Sequence, residues 1–422
     1  MKKYLFLLIL IFLISFSNVF ASPPDIKAKS AILAAINSEQ ILFEKNSAER
    51  VYPSGLTKLV TALVAYEKSG MDEIVTVPQN IKEYLTYLEP SMNLKPGEQI
   101  TTGSLISAIT VGSANDAAIA IAIHCGGSIE GFVAMMNERA KSLGLSNTNF
   151  VNATGNHNIE HYTTAVDMLK IYRQMCNTPK LKEILNTQNA NIPPTNIQPK
   201  RTFWTSNHLI SRYIETKYIY ENARGGKTAS SSAGGYSIVT NGKRYETELI
   251  CIVFGSILDE GVNYSLVEAK NLFEYGFNDF ILKTIVSGGD IISEIKVKNS
   301  ATSDHLLLYT FNGLKCFILR DDKIESIQKE LKIPKFISAP ITKDQIIGSI
   351  DYSYLGKYVG KVDVAASNSL SLNPIKYAGN SILWFFNLKY VKLTYGIILS
   401  IVLIYIGIVF YIINKSIKRK KR

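Results

Sequence analysis

Residues 393–413 form an unbroken run of 21 uncharged residues, dominated by Ile, Val, Leu and Tyr, and six cations follow it between Lys415 and Arg422. A helix of that length spans a hydrocarbon core of about 30 Å, and positive flanks stay on the cytoplasmic side. The competing reading is a buried core helix. Such a helix is not apolar on every face and then closed by a block of cations. At the other end, Lys2 and Lys3 precede an apolar run over 4–16, and Val19-Phe20-Ala21 offers a small-residue cleavage site. Residues 1–21 therefore read as a secretory signal peptide. The two ends fix a direction: residues from ~22 to ~390 lie outside, 393–413 form a transmembrane helix, and 414–422 are a basic cytoplasmic tail.

With the ends assigned, the charge changes meaning. The whole chain of 422 residues carries a formal +11, but Lys2, Lys3 and the six terminal cations account for eight of these, leaving +3 for the rest. Nucleic acid is thus excluded as a partner on charge grounds. Charged residues at 19% with 10% aromatics exclude wholesale disorder, and the length calls for more than one folded unit. Cys125, Cys176, Cys251 and Cys316 are scattered, with no framework spacing and no metal cassette, so they read as single thiols.

Along the exported part, 30–36 and 41–44 are β-type runs around Asn37-Ser38-Glu39-Gln40 and predict a hairpin. Leu56, Leu59, Val60, Leu63 and Val64 recur at helical spacing, and Gly70 ends that helix. Residues 102–125 are helical and apolar with a polar break at 112–116, and 132–143 read as an amphipathic helix. Thr164-Ala165-Val166-Asp167 has capping-box form ahead of a helix over 168–175. The polar stretch 186–201 predicts a long loop. Strands follow at 236–240 and 246–254, then a helix at 265–275. From about Val286 short alternating runs at 294–298, 306–309, 316–319, 347–352 and 358–364 predict a small separate β domain. The domains expected are 27–283 and 286–368, with a linker over 369–392.

Three constellations carry chemistry. In Tyr52-Pro53-Ser54-Gly55-Leu56-Thr57-Lys58 a serine stands one helical turn before a lysine, so a desolvated amine can take the hydroxyl proton and produce a nucleophile. In Ser113-Ala114-Asn115-Asp116 a second serine can relay a proton and an asparagine can hold an amide. In Gly225-Gly226-Lys227-Thr228-Ala229 a lysine and a hydroxyl on a glycine-flanked edge can grip a carboxylate. Each alone has a plainer reading, namely a helix cap with a solvated lysine, an N-cap, and a basic turn.

Their order and spacing together match the Ser-x-x-Lys, Ser-x-Asn and Lys-Thr-Gly set of penicillin-binding proteins. From about Ala31 to about Ala365 the chain resembles the low-molecular-weight penicillin-binding proteins, the serine-type D-alanyl-D-alanine carboxypeptidases of peptidase family S11. Further matching residues are Tyr52-Pro53, Leu56-Thr57-Lys58-Leu59, Asn115-Asp116-Ala117-Ala118, Met136-Asn137, Phe150-Val151-Asn152, His161-Tyr162-Thr163-Thr164-Ala165 and Trp204-Thr205-Ser206-Asn207. The resemblance implies an α/β, transpeptidase/β-lactamase-like domain (a sheet flanked by helices, with a helical subdomain), then a small all-β domain and the C-terminal transmembrane helix. It also implies a bacterial envelope protein anchored in the cytoplasmic membrane. Its substrate is the peptidoglycan stem peptide ending in D-Ala-D-Ala, trimmed of the last D-Ala through a serine acyl-enzyme, with β-lactams as further ligands. Lys58 falls on the general base and Ser113 and Asn115 on the second motif. Lys227 and Thr228 fall on the carboxylate grip. No cofactor and no metal are implied.

The chain departs from that pattern at its centre. The family reads Pro-Ala-Ser-Leu-Thr-Lys where this chain reads Pro53-Ser54-Gly55-Leu56-Thr57-Lys58, so Gly55 occupies the nucleophile position and Ser54 lies one residue earlier. On a helix one residue is about 100° of rotation and 1.5 Å of rise. Ala229 replaces a glycine, and Arg224 stands where many members have aspartate. Two functions follow. One is a carboxypeptidase using Ser54 as a displaced nucleophile. The alternative is a catalytically inactive relative that binds stem peptides or cell-wall partners. His157-Asn158-Ile159-Glu160-His161 also satisfies a zinc-peptidase pattern, but that site needs both histidines on one helix face, and this segment is expected in a loop.

Overall fold

Strand β1 (Ser30–Ala35) is apolar at every position but its first and is buried along its whole length. The computed structural model describes residues 23–86 and 89–420, so the expected signal peptide lies outside the described residues. A polar turn brings the chain back as β2 (Ile41–Lys45), antiparallel to β1 with Ala31 opposite Lys45, which is the expected hairpin. Helices α1 (Thr57–Lys68), α2 (Thr102–Thr110), α3 (Asn115–Gly126), α4 (Ile129–Ser142) and α5 (Ala165–Cys176) follow. Strands β3 (Ala223–Ser231), β4 (Gly235–Arg244) and β5 (Thr247–Ser256) and helix α6 (Tyr264–Asp279) complete the layer structure. The five strands form one antiparallel sheet in the order β2-β1-β5-β4-β3.

The two-residue period of a strand explains why residues 31–35 of β1 and 249–254 of β5 are apolar at successive positions. Ile32 and Ala34 of β1, with Ile250, Ile252 and Phe254 of β5, enter a core shared with Leu59, Leu63, Ala118 and Tyr172 from the helical side. The alternate residues Ala31, Leu33, Leu249, Cys251 and Val253 pack instead with Leu266, Leu272 and Phe273 of α6. Each large apolar side chain taken from water contributes about 2 kcal/mol, so a sheet buried on both faces is a stiff support for what stands at its edge.

The capping box holds: the Thr164 hydroxyl accepts the Asp167 N–H at the start of α5. The stretch 186–201, expected as a loop, contains Asn189–Ile192 paired antiparallel with Arg201–Trp204. Its strand signal is only Ala190 and Ile192 alternating inward over four residues before Pro193-Pro194, too short a pattern to stand out in a polar sequence. All four cysteines are free thiols, Cys125 half-buried and the others buried.

The chain divides into two units. The first runs to Lys283 and takes in Cys316–Ser326; the second comprises Thr284–Lys315 and everything from Ile327. In the first, the Phe317 N–H donates to Gln40 Oε1 at 2.7 Å. The second unit is a six-stranded sheet of β6 (Ile291–Lys298), β7 (His305–Thr310), β8 (Gln328–Lys332), β9 (Phe336–Ser338), β10 (Ile346–Tyr354) and β11 (Lys357–Ala366). Its order is β8-β10-β11-β7-β6-β9, with only the β6–β9 pair parallel. Alternation is clear in β7, where Leu306 and Leu308 are buried and Leu307 is exposed. Within the span read as a linker, α7 (Pro374–Asn387) is helical, because Pro374 opens it and the Asn373 side chain accepts the N–H groups of Ile375 and Lys376. Helix α8 (Lys389–Lys420) contains the apolar run, and its segment Lys389–Ser416 is long and apolar enough to cross a membrane.

Candidate active site

The site is built where α1 begins, where α2 gives way to α3, and along the edge strand β3. Ser54–Leu56 form a single 3₁₀ turn that leads into α1. That turn carries Gly55, and one α-helical turn further on lies Lys58. Between α2 and α3 the chain reverses through Ser113, held at a left-handed φ of +61°. Asn115 then opens α3, its N–H donating to the Pro90 carbonyl at 2.7 Å. These elements and β3 bound a cleft of about 740 Å³ lined by Ser54, Gly55, Lys58, Ser113, Asn115 and Thr228 among others. Lys227 is wholly buried beside it, its ammonium donating to the Thr110 carbonyl at 3.3 Å. Ser54, Gly55 and Lys58, Ser113 and Asn115, and Lys227 and Thr228 therefore belong to one locality.

Its centre is Gly55. A Cβ built there stands 3.7 Å from Lys58 Nζ, 3.8 Å from Ser113 Oγ and 3.4 Å from the Ala229 methyl. A side chain at position 55 thus faces the two groups able to exchange its proton. Ser54 faces elsewhere: its hydroxyl pairs with Ser231 Oγ at 2.6 Å. Its φ of +50° is left-handed, and Gly155, itself at φ +85°, packs against its carbonyl so closely that only glycine fits. Lys58 Nζ donates to the Thr154 carbonyl at 2.7 Å. The hydroxyl and the amine are each committed to a different partner.

Burial sets the electrostatics. Lys58 is 3% exposed, and desolvation of its ammonium pulls its pKa down to about 8, against the opposing charge of Glu89. A neutral amine is therefore accessible near physiological pH, as a general base requires. Burial also holds Lys227 well below the usual lysine range, and the Lys58 charge adds to the effect. Thr228 donates its hydroxyl to the Ser206 carbonyl at 2.7 Å, and Asn207 Nδ2 donates to the Gly225 carbonyl at 2.9 Å. These bonds fasten the 205–208 loop to β3. Arg224 points away from the cleft and donates to the carbonyls of Glu221, Ala223 and Lys243.

Three residues of the site carried no readable sequence signal. Thr154 contributes only a backbone carbonyl, which any residue supplies. Ser231 sits in a run of three serines. Glu89 lies in a non-periodic stretch, yet its carboxylate accepts from Asn115 Nδ2 at 2.6 Å and Asn156 Nδ2 at 2.9 Å. The His157–His161 segment lies in turns, as expected. His161 is buried and its Nε2 pairs with Thr57 Oγ1 at 2.8 Å, while Nδ1 accepts the Val151 N–H at 3.3 Å. Burial, with a smaller push from His157, lowers its pKa to about 4. It is a neutral ring that fixes the start of α1.

Comparison with known proteins agrees with this geometry. The model of the D-alanyl-D-alanine carboxypeptidase family matches residues 17–257, and that of the penicillin-binding protein 5 C-terminal domain matches residues 280–371. The chain is 27% identical over 346 residues to D-alanyl-D-alanine carboxypeptidase DacF of Bacillus subtilis, covering 82% of this chain and 86% of that one. It is 27% identical over 349 residues to DacC of Escherichia coli, covering 80% and 82%. Penicillin binding protein 5 from Haemophilus influenzae has a similar structure, with a TM-score of 0.68, 26% identity, and coverage of 83% of this chain and 99% of that one. The chain belongs to the D-alanyl-D-alanine carboxypeptidases of peptidase family S11, the low-molecular-weight penicillin-binding proteins.

Proposed function

We propose that this chain binds peptidoglycan stem peptides ending in D-Ala-D-Ala, and β-lactams, without forming an acyl-serine, and that α8 tethers it to the outer face of the cytoplasmic membrane. The observation that carries the reading is Gly55. The position whose side chain faces Lys58 and Ser113 has no hydroxyl, while Ser54 is bonded to Ser231. A misplacement of about 1 Å costs a nucleophile roughly a hundredfold, and Ser54 stands a full residue away with its own partner.

What remains suits binding. Lys227 and Thr228 lie on the edge strand where a terminal carboxylate is met by an ammonium and a hydroxyl. Asn115 Oδ1 is buried with no hydrogen-bond partner, an acceptor ready for a ligand N–H donor. A specific observation keeps Ser54-dependent turnover as the second reading: Ser54 lines the same cleft, and its left-handed backbone is a strained local state.

Calorimetry of the detergent-solubilised full chain with an N-acylated peptide ending in D-Ala-D-Ala, alongside an assay for released D-alanine, separates these readings. Saturable binding with Kd below about 1 mM and no D-alanine is expected. Steady release that disappears in a Ser54→Ala variant would establish the displaced nucleophile instead.

A further inference from the structure

Among the described residues Glu89 is the one carboxylate that lines the cleft, and it is held rather than loose. Thr86 Oγ1 and Asn156 Nδ2 donate to one oxygen and Asn115 Nδ2 to the other. A carboxylate offers about four acceptor sites, so these three bonds leave it with capacity unspent. Hydrogen bonds from its neighbours outweigh burial and keep the group below the ordinary carboxylate range, that is, ionised. Among the described residues Glu89 is in no direct ion pair; Lys58 is near enough for the two charges to attract, but its ammonium donates to the Thr154 carbonyl.

A second observation stands beside it. The Asn115 side chain is 3% exposed, its Nδ2 is given to Glu89, and its Oδ1 has no partner. Both atoms of that amide hang from one carbon, so the free oxygen lies next to the Glu89 carboxylate. Two adjacent acceptors, one of them charged and one buried and unsatisfied, call for a compact multi-donor cation. An ammonium, with three N–H donors on one atom, has that form.

We propose that Glu89 and Asn115 Oδ1 form an amine subsite, so that the cleft selects peptides carrying a free ammonium on the residue before D-Ala-D-Ala; this rests on stem-peptide binding in the cleft. The ligand is then held at two charges, its carboxylate by Lys227 and Thr228 and its amine by Glu89.

Two probes test this by calorimetry on the full chain: Nα-acetyl-Lys-D-Ala-D-Ala, with a free ε-amine, and its Nα,Nε-diacetyl counterpart. The wild-type chain should prefer the free amine at least about tenfold, the size of one hydrogen bond to a charged group. In Glu89→Gln the ratio of the two affinities should fall to near one, and Glu89→Asp, which keeps the charge, should retain part of the preference. Equal binding of both probes by the wild-type chain overturns the subsite and leaves stem-peptide binding standing. A preference that persists in Glu89→Gln overturns the assignment to Glu89. If neither peptide binds, the binding reading and the subsite fall together.

Discussion

Lys58 is costly to bury, and the cost leaves a signature. Its pKa of about 8 in the folded chain, against 10.5 for the free side chain, means the unfolded state binds the extra proton between those values. The penalty for burying the charged form is therefore fully present below pH 8 and is lost by pH 10.5, an effect of about 3 kcal/mol. Comparing Lys58→Met with wild type by urea unfolding, the variant should lose about that much relative stability as the pH rises from 7.5 to 10.5. A flat difference would mean that Lys58 is not the buried base described. Ser54 should behave as a structural residue. Ser54→Ala should change the Kd for the D-Ala-D-Ala peptide by less than about threefold while costing about 1 kcal/mol of stability, the worth of one hydrogen bond. Lys227→Met should weaken the same peptide at least tenfold, because the carboxylate loses a buried hydrogen-bond donor. Calorimetry and unfolding on the same samples check both.

Elements with a strong period, or with a cap ahead of an apolar periodic run as at Thr164, were legible from sequence, and short or aperiodic ones were not. The apolar run of β1 and the Leu56, Leu59, Leu63 spacing of α1 announced both, because β1 is buried on both faces and α1 must bury one. Residues 374–387 contain Gly379 and Asn380 and read as a linker; their helix depends on Pro374 and the Asn373 cap. The site divided in the same way. Lys58, Ser113, Asn115, Lys227 and Thr228 were picked out because their combined order and spacing match the motif set of a known family, and Gly55 because it breaks that set. Glu89 was invisible because its role comes from a loop crossing that no local pattern encodes. Caps also give the elements their measurable weak points. Thr164→Ala should cost about 1 kcal/mol by freeing the Asp167 N–H at the start of α5, seen as a fall of a few degrees in melting temperature with no change in peptide affinity.

At the scale of the whole molecule, two features stand out: a terminal helix long and apolar enough to cross a membrane, and a cleft with a glycine at its centre. The candidate span Lys389–Ser416 has 28 residues, about 42 Å at 1.5 Å per residue, which exceeds a hydrocarbon core of about 30 Å. The full chain should stay with membranes through an alkaline wash, and a chain ending at residue 372 should be released; retention of the shorter form would place the attachment elsewhere. Lys58 and Ser113, the proposed base and relay, stand around Gly55, a position that has no hydroxyl of its own. The space at Gly55 is bounded at 3.4 to 3.8 Å by Ala229, Lys58 and Ser113, ordinary contact distances that admit a serine side chain. The most direct measurement is the intact mass of wild-type and Gly55→Ser protein after incubation with a penicillin, followed by peptide mapping. The account predicts an unmodified wild-type chain and a stoichiometric adduct at the substituted position in the variant. An adduct on wild-type Ser54, or a folded variant that takes up none, would contradict it.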